Sequence, residues 1–319
     1  MTDPPRSRCR NLLKSLRTFW RTTRKTFRSD RLRNWKEIIG LTAGYLSRVG
    51  VPDAQTVAEL LAARLLRCGR GFLVSHLERE VPEPLLEAMR RGMARLAKGE
   101  PIQYVLGEWD FRALTLTCDR RALIPRPETE ELVERVIRHV KARPSAAGRP
   151  FIVDVGTGSG CIILSLAREL GDGIYLGTDI SPDAVTLAQE NAERCGLSGK
   201  VRFAVADGMD EFDPESVDVI VSNPPYIPTS VCETLDPRVK DFEPRLALDG
   251  GASGLAFYDR FVGDALNVLK SGGAVFFEIG EGQGEALRQM LGDYGFGEIR
   301  IEKDFAGHDR YASGVLEAS

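Results

Sequence analysis

From Phe151 to the C-terminus the sequence alternates short apolar runs with helical stretches, and that rhythm leaves few folds open. The runs are FIVDV (151–155), IYLGTDI (174–180), VRFAVA (201–206), VDVIVSN (217–223) and AVFFEI (274–279), with helices predicted to begin at Cys161, Pro182, Gly254 and Gln283. Continuously apolar strands need cover on both faces, and intervening helices supply it. The pattern therefore predicts an α/β fold with a mostly parallel, doubly wound sheet. The last stretch, FGEIRIEKDFAGHDRYASGVLE, lacks another long helix and predicts an antiparallel edge hairpin.

Upstream the period changes. WKEIIGLTAGYL, VAELLAARLL and PLLEAMRRGMARLA carry helical spacing, interrupted by Gly-Val-Pro at 50–52 and by Pro82 and Pro84. WDFRALTLTC (109–118) alternates as a hairpin does, IPRPETEELVERVIRHV runs from a loop into a helix, and ARPSAAGRP (142–150) reads as a linker. The expected organisation is a basic extension over 1–34, a small all-α domain that holds a partner over 35–106, a β-hairpin and helix connector over 107–150, and a catalytic domain over 151–319.

Charge is distributed unevenly. The whole chain carries −3, but residues 1–36 carry +10, residues 37–100 carry +1, and residues 101–319 carry −14. An acidic catalytic half is poorly matched to a phosphate backbone, whose grip depends on Lys and Arg, so a protein substrate fits better than DNA. In the basic extension, LLKSLRTFWRTTRKTF has apolar residues at helical spacing. A solvated arm, a mitochondrial transit peptide and an RNA- or ribosome-binding helix all fit it. No apolar stretch approaches the length of a membrane span, and no signal-peptide pattern opens the sequence. The six cysteines form no CxxC pair, and the three histidines have no ligand spacing, so neither a disulfide nor a metal site is predicted. A cytoplasmic monomer is expected, or a mitochondrial one if the arm is a transit peptide.

Three motifs carry chemistry. Asp154-Val155-Gly156-Thr157-Gly158-Ser159-Gly160 follows an apolar strand and opens a helix, where glycines let the backbone approach a nucleotide; a plain tight turn is the alternative. Asp179 ends the second strand, 19 residues past Gly160, where a carboxylate can accept from ribose hydroxyls; a turn residue before Ser181-Pro182 is the alternative. Asp207, after the third strand, is assigned to the adenine end, with a loop aspartate as the alternative. Asn223-Pro224-Pro225-Tyr226 ends the fourth strand. Successive prolines fix φ and remove donors, so rigid carbonyls and the Asn223 oxygen offer acceptors for an NH2 group while Tyr226 packs on its flat face. A proline-terminated strand with a core tyrosine is the structural alternative. The exocyclic N6 amine of adenine in DNA or RNA is a similar flat group, so an enzyme acting on that amine is the rival reading. It would need nucleic-acid grip for base flipping, and no segment large enough to read bases is apparent.

Taken together, the glycine loop, the acidic second-strand end and N-P-P-Y resemble class I methyltransferases with a Rossmann-like domain. Within that class the chain resembles the HemK/PrmC family of peptide chain release factor N5-glutamine methyltransferases. The resemblance is carried by PIQYVLGEWDF (101–111), LIPRPETEELVE (123–134), DVGTGSGCIILSLA (154–167), SNPPYIP (222–228) and FEPRLALDGGASGLAFYDR (242–260), and runs from about Trp35 onward. It implies S-adenosylmethionine as methyl donor, S-adenosylhomocysteine as product, and a release factor's Gly-Gly-Gln glutamine as acceptor in translation termination. It further implies that Gly156, Thr157, Gly158, Ser159, Gly160, Asp179 and Asn223 contact the cofactor. Asn223, Pro224, Pro225 and Tyr226 would hold the glutamine, with Asn223, Pro224 and Tyr226 catalytic. The family often has a bulky residue where this chain has Gly208.

Overall fold

The computed structural model describes residues 33–143, 148–209 and 212–317. The expected basic extension lies outside the described residues except for its last two. The chain divides into two compact units, residues 1–94 and 95–319.

In the first unit, helix α1 (Trp35–Arg48) starts where the Asn34 side chain accepts the Glu37 amide, leaving one fewer orphan donor in the first turn. Helix α2 (Ala54–Leu66) follows, then a 3₁₀ turn over Arg70–His76 and helix α3 (Glu83–Leu96). Trp35, Ile38, Leu46, Ala58, Leu61 and Met89 are buried. Gly92 lets α3 approach α2 closely, since a Cβ there would lie 2.7 Å from the Leu61 methyls. Phe72 and Val74 in the 3₁₀ turn remain 71% and 73% exposed.

The second unit includes Arg95 onward. There the Arg95 guanidinium binds Glu100 and the Tyr104 carbonyl, and the Tyr104 hydroxyl reaches the Ala122 carbonyl at 3.0 Å. Strands β1 (Glu108–Phe111) and β2 (Leu114–Thr117) form the expected hairpin, antiparallel with Phe111 opposite Leu114. Arg112 at the turn fastens it: its backbone amide donates to Glu130 and its guanidinium to Glu169 and Glu134. Helix α4 (Pro127–Ala142) has Pro127 in its first turn, where the missing N–H costs nothing.

The main sheet is built from β3 (Phe151–Val155), β4 (Ile174–Asp179), β5 (Val201–Val205), β6 (Val217–Ser222), β7 (Leu269–Glu278), β8 (Phe296–Lys303) and β9 (Asp309–Leu316), in the order β5-β4-β3-β6-β7-β9-β8. Pairing is parallel from β5 through β7, while β9 runs antiparallel to both β7 and β8, so the predicted C-terminal hairpin closes that edge. Strand pleating sorts side chains to two faces. Ile152, Val219, Val221, Ala274 and Phe276 join a core with α4 and helix α5 (Cys161–Leu170), whereas Val153, Val155, Ile220, Val275 and Phe277 join one with helices α7 (Ala256–Val268) and α8 (Gly284–Asp293). Helix α6 (Pro182–Arg194) starts at Ser181, whose hydroxyl accepts the Ala184 amide. Strand order reverses between β3 and β6. In doubly wound sheets that is where a crevice opens beyond the carboxyl ends of the strands.

Candidate functional site

The glycine loop lies at that switch point, between the end of β3 and the start of α5. Gly156, Gly158 and Gly160 have φ of 72°, 55° and 81°, a region that a side chain makes costly, so the loop can fold flat against the strand ends. Thr157 and Ser159 are buried: the Thr157 hydroxyl donates to Asp154 at 2.6 Å, and the Ser159 carbonyl accepts from Asn191 at 3.0 Å. Gly160 keeps α5 against α6, since a Cβ would stand 3.2 Å from that of Ala188. Asp154 lies fully buried beneath the loop, and burial pushes its carboxyl up to about 7 against the pull of the Thr157 hydrogen bond.

Asp179, at the end of β4, accepts the Gly158 amide on one oxygen and the Ser181 amide on the other, both at 2.9 Å. Burial raises its pKa, and the two amides pull it back. The carboxylate thus holds the glycine loop to the start of α6 and keeps lone pairs for a ligand. Asp207 is tied to Arg260, whose Nη1 donates to Oδ1 at 2.7 Å and whose Nη2 donates to the Asp207 carbonyl at 2.5 Å. A Cβ on Gly208 (φ +106°) would lie 2.8 Å from that Nη2, so the Arg260 guanidinium fills the space where a bulkier residue would project.

A cleft of about 320 Å³ opens among these residues, within the size of a small-molecule site. Gly156, Gly158, Asp179, Asp207, Gly208 and Asn223 line it, together with Pro225 and the apolar Ile180, Ala184, Phe257 and Phe261. The wall suits a nucleoside with a positively charged tail: a flat apolar slot, close backbone, and carboxylates for hydroxyls and charge. Thr157, Ser159, Gly160, Pro224 and Tyr226 are not among the residues lining this cleft.

Asn223-Pro224-Pro225-Tyr226 leaves the end of β6, beside β3; the Ser222 hydroxyl donates to the Val155 carbonyl at 2.5 Å. The next loop packs directly on it, and a Cβ on Gly250 would lie 2.6 Å from the Pro225 carbonyl. Gln283 donates to the Tyr226 carbonyl at 3.0 Å. Behind the motif runs a side-chain chain: Asn223 Nδ2 donates to the Thr129 hydroxyl at 3.0 Å, Thr129 donates to Glu278 Oε2 at 2.7 Å, and the Tyr226 hydroxyl donates to Glu278 Oε1 at 3.3 Å. Glu278 is 1% exposed, and burial pushes its carboxyl up to about 7 against the Thr129 hydrogen bond and the Arg310 charge. The Tyr226 phenol is raised by burial and by Glu278.

Sequence reasoning missed Thr129, Glu278, Asn191 and Gln283. In the PRPETE segment, Glu130 accepts the Arg112 amide and the Glu128 carbonyl accepts the Tyr311 hydroxyl. Asn191 is fully buried and bonds both the Thr117 backbone and the Ser159 carbonyl, which fixes the hairpin to the glycine loop. A polar residue inside an apolar helix face was the one signal available for it. Among the described residues, no group of three or more His, Cys, Asp or Glu side chains is arranged to hold a metal, and no helix is long and apolar enough to cross a membrane.

Comparison with known proteins gives concordant matches. The family model described as PrmC N-terminal domain matches residues 37–107, and that described as Methyltransferase small domain matches residues 136–234. The release factor glutamine methyltransferase of Geobacter sulfurreducens is 38% identical over 281 residues, covering 88% of this chain and 96% of that protein. Its counterpart from Caulobacter vibrioides is 36% identical over 270 residues, covering 85% and 92%. Among solved structures, the hMettl16 catalytic domain in complex with a 3'UTR hairpin is 18% identical with a TM-score of 0.51, covering 71% of this chain and 81% of that one, a likeness of fold alone.

Proposed function

Because the chain belongs to the release factor glutamine methyltransferase family, we propose that its cleft binds S-adenosylmethionine and that Asn223 to Tyr226 receive the glutamine of a release factor's Gly-Gly-Gln segment. The reaction is methyl transfer to the side-chain amide nitrogen, N5, of glutamine. The observation that carries the reading is the joining of Asp179, the glycine loop and Asn223 in one cleft at the switch point.

S-adenosylmethionine supplies a sulfonium methyl that is already electrophilic, so the difficulty lies with the amide nitrogen, whose lone pair is delocalised into the carbonyl. Asn223 Oδ1 and the Pro224 carbonyl accept the two N–H bonds of the substrate amide, aim its nitrogen, and stabilise the positive charge that develops on it. Rigidity supports this role, since Pro224 and Pro225 fix the backbone and Gln283 restrains the Tyr226 carbonyl. The methylated nitrogen holds one proton too many and is strongly acidic, so water accepts it without a dedicated base. In the cofactor half of the cleft, Asp179 takes the ribose hydroxyls, Gly156 and Gly158 pass close to the ligand, and Asp207 with Arg260 bounds the adenine end. Thr157, Ser159 and Gly160 act by shaping the loop.

The two glycines that precede the acceptor glutamine leave no side chain there to clash with a narrow pocket. The helical domain supplies remote binding energy, and its exposed Phe72 and Val74 are apolar anchors for the release factor. The protein acts as a monomer in the cytoplasm, where release factors work.

Incubation with methyl-labelled S-adenosylmethionine and either a release factor or duplex DNA tests the proposal. One added methyl on the Gly-Gly-Gln glutamine, read by mass spectrometry, is expected. Label on adenine with none on the factor would overturn it in favour of the N6-adenine reading.

A further inference from the structure

We propose that Thr129 and Glu278 are positioning residues that dictate which end of the Asn223 amide faces the cleft. The inference rests on the reading of Asn223 as acceptor for the substrate NH2 and adds what keeps it an acceptor.

A carboxamide is nearly symmetric in shape but has opposite poles: oxygen accepts and NH2 donates. If the Asn223 side chain turned by half a rotation, it would present N–H to the N–H of the substrate and repel it. Burial of Asn223 alone does not prevent this, because both orientations occupy the same volume.

The hydrogen-bond chain behind it does. In its ionised form Glu278 can only accept, so the single Thr129 hydroxyl proton then points to its Oε2 at 2.7 Å. The remaining lone pairs of that hydroxyl can only accept, so the Asn223 group 3.0 Å away must be the NH2. Oδ1 is thereby left for the cleft. Thr129 is 2% exposed and Glu278 1%, so water does not compete for either link. The same carboxylate accepts the Tyr226 hydroxyl at 3.3 Å on its other oxygen, and its own backbone is held where the Tyr258 hydroxyl donates to the Glu278 carbonyl at 2.7 Å. One side chain thus orients both polar members of the Asn223–Tyr226 motif. The sheet makes this possible: Ser222 on β6 pairs with Phe277 on β7, so the residues that follow each, Asn223 and Glu278, emerge side by side.

Thr129→Val removes the hydroxyl at nearly constant volume and frees Asn223 to turn. Turnover on the full release factor should fall by about 10- to 100-fold, while the cofactor Kd stays within about twofold of wild type. Thr129→Ser, which restores the hydroxyl, should recover most of the turnover. Glu278→Gln provides a second route if the valine variant does not fold: it places an N–H where only an acceptor stood, lets Thr129 turn its proton toward Asn223, and should lower turnover similarly. In the double variant with Asn223→Ala, the Thr129→Val loss should vanish. Wild-type turnover in Thr129→Val or Glu278→Gln, failure of Thr129→Ser to recover, or additive losses in the double variant would each overturn the proposal. Full turnover in Asn223→Ala alone would instead overturn the underlying reading of Asn223.

Discussion

Replacing Asp179 tests the cofactor half of the cleft, and its cost can be worked from two hydrogen bonds. The carboxylate accepts the Gly158 and Ser181 amides at 2.9 Å each, so in the free protein it already organises the glycine loop. Asp179→Ala removes the acceptor expected for the ribose hydroxyls and leaves the Gly158 amide without this partner. An unsatisfied buried polar group costs about 1–3 kcal/mol, so affinity for S-adenosylmethionine should fall by about 5- to 150-fold. Asp179→Asn keeps one carbonyl acceptor but turns an N–H toward one of the two amides, and should fall between the wild type and Asp179→Ala. Isothermal titration calorimetry at fixed pH measures both, with circular dichroism confirming that each variant is folded. A folded Asp179→Ala protein that binds S-adenosylmethionine within about twofold of wild type would remove Asp179 from the ribose role.

Further expectations concern the acceptor half, pH and the flanking regions. Asn223→Ala should lower turnover by about 10²–10³, with a much smaller change in cofactor affinity, as steady-state kinetics and calorimetry would show. Glu278 is pushed up to about 7 from the ordinary carboxylate range near 4.5, so the folded protein holds this proton more tightly than the unfolded chain. Its contribution to stability is therefore full below pH 4.5 and is lost as pH rises through about 7. Glu278→Gln should gain on wild type across that window by up to about 3 kcal/mol in denaturant titrations, and a gap that does not change with pH would show that Glu278 does not titrate there. Deleting residues 1–33 should leave methylation of isolated release factor intact, since the matched region begins at residue 37; a large loss would place the arm in the substrate site. A short Gly-Gly-Gln peptide should be a far poorer substrate than the whole factor in the same assay, because it lacks the remote contacts that position the amide.

The sequence by itself determined the elements whose signals are local. Apolar runs such as FIVDV and VDVIVS became β3 and β6 because continuous apolar strands have no stable place except a sheet covered on both faces. The alternation over 109–118 was enough to expect the hairpin, and the paired prolines after Asn223 constrained the motif backbone through φ. Glycine spacing after Asp154, with Asp179 one strand later, was enough to expect a nucleoside site, since position along the β-α-β unit dictates which end of the sheet such residues reach.

Only the tertiary structure decided what stands behind the motif. Thr129 is 94 residues from Asn223 and 149 from Glu278, and neither has a local pattern that marks it. In the sequence Thr129 is one more polar residue at a helix start, and Glu278 merely ends an apolar strand. They meet because β7 lies beside β6 and α4 packs across the strand ends, and no periodicity along a chain encodes which strand becomes the neighbour of which. Burial then gives the pair its effect, since a carboxylate and a hydroxyl shielded from water must satisfy each other, and their donor and acceptor inventory leaves one orientation for Asn223.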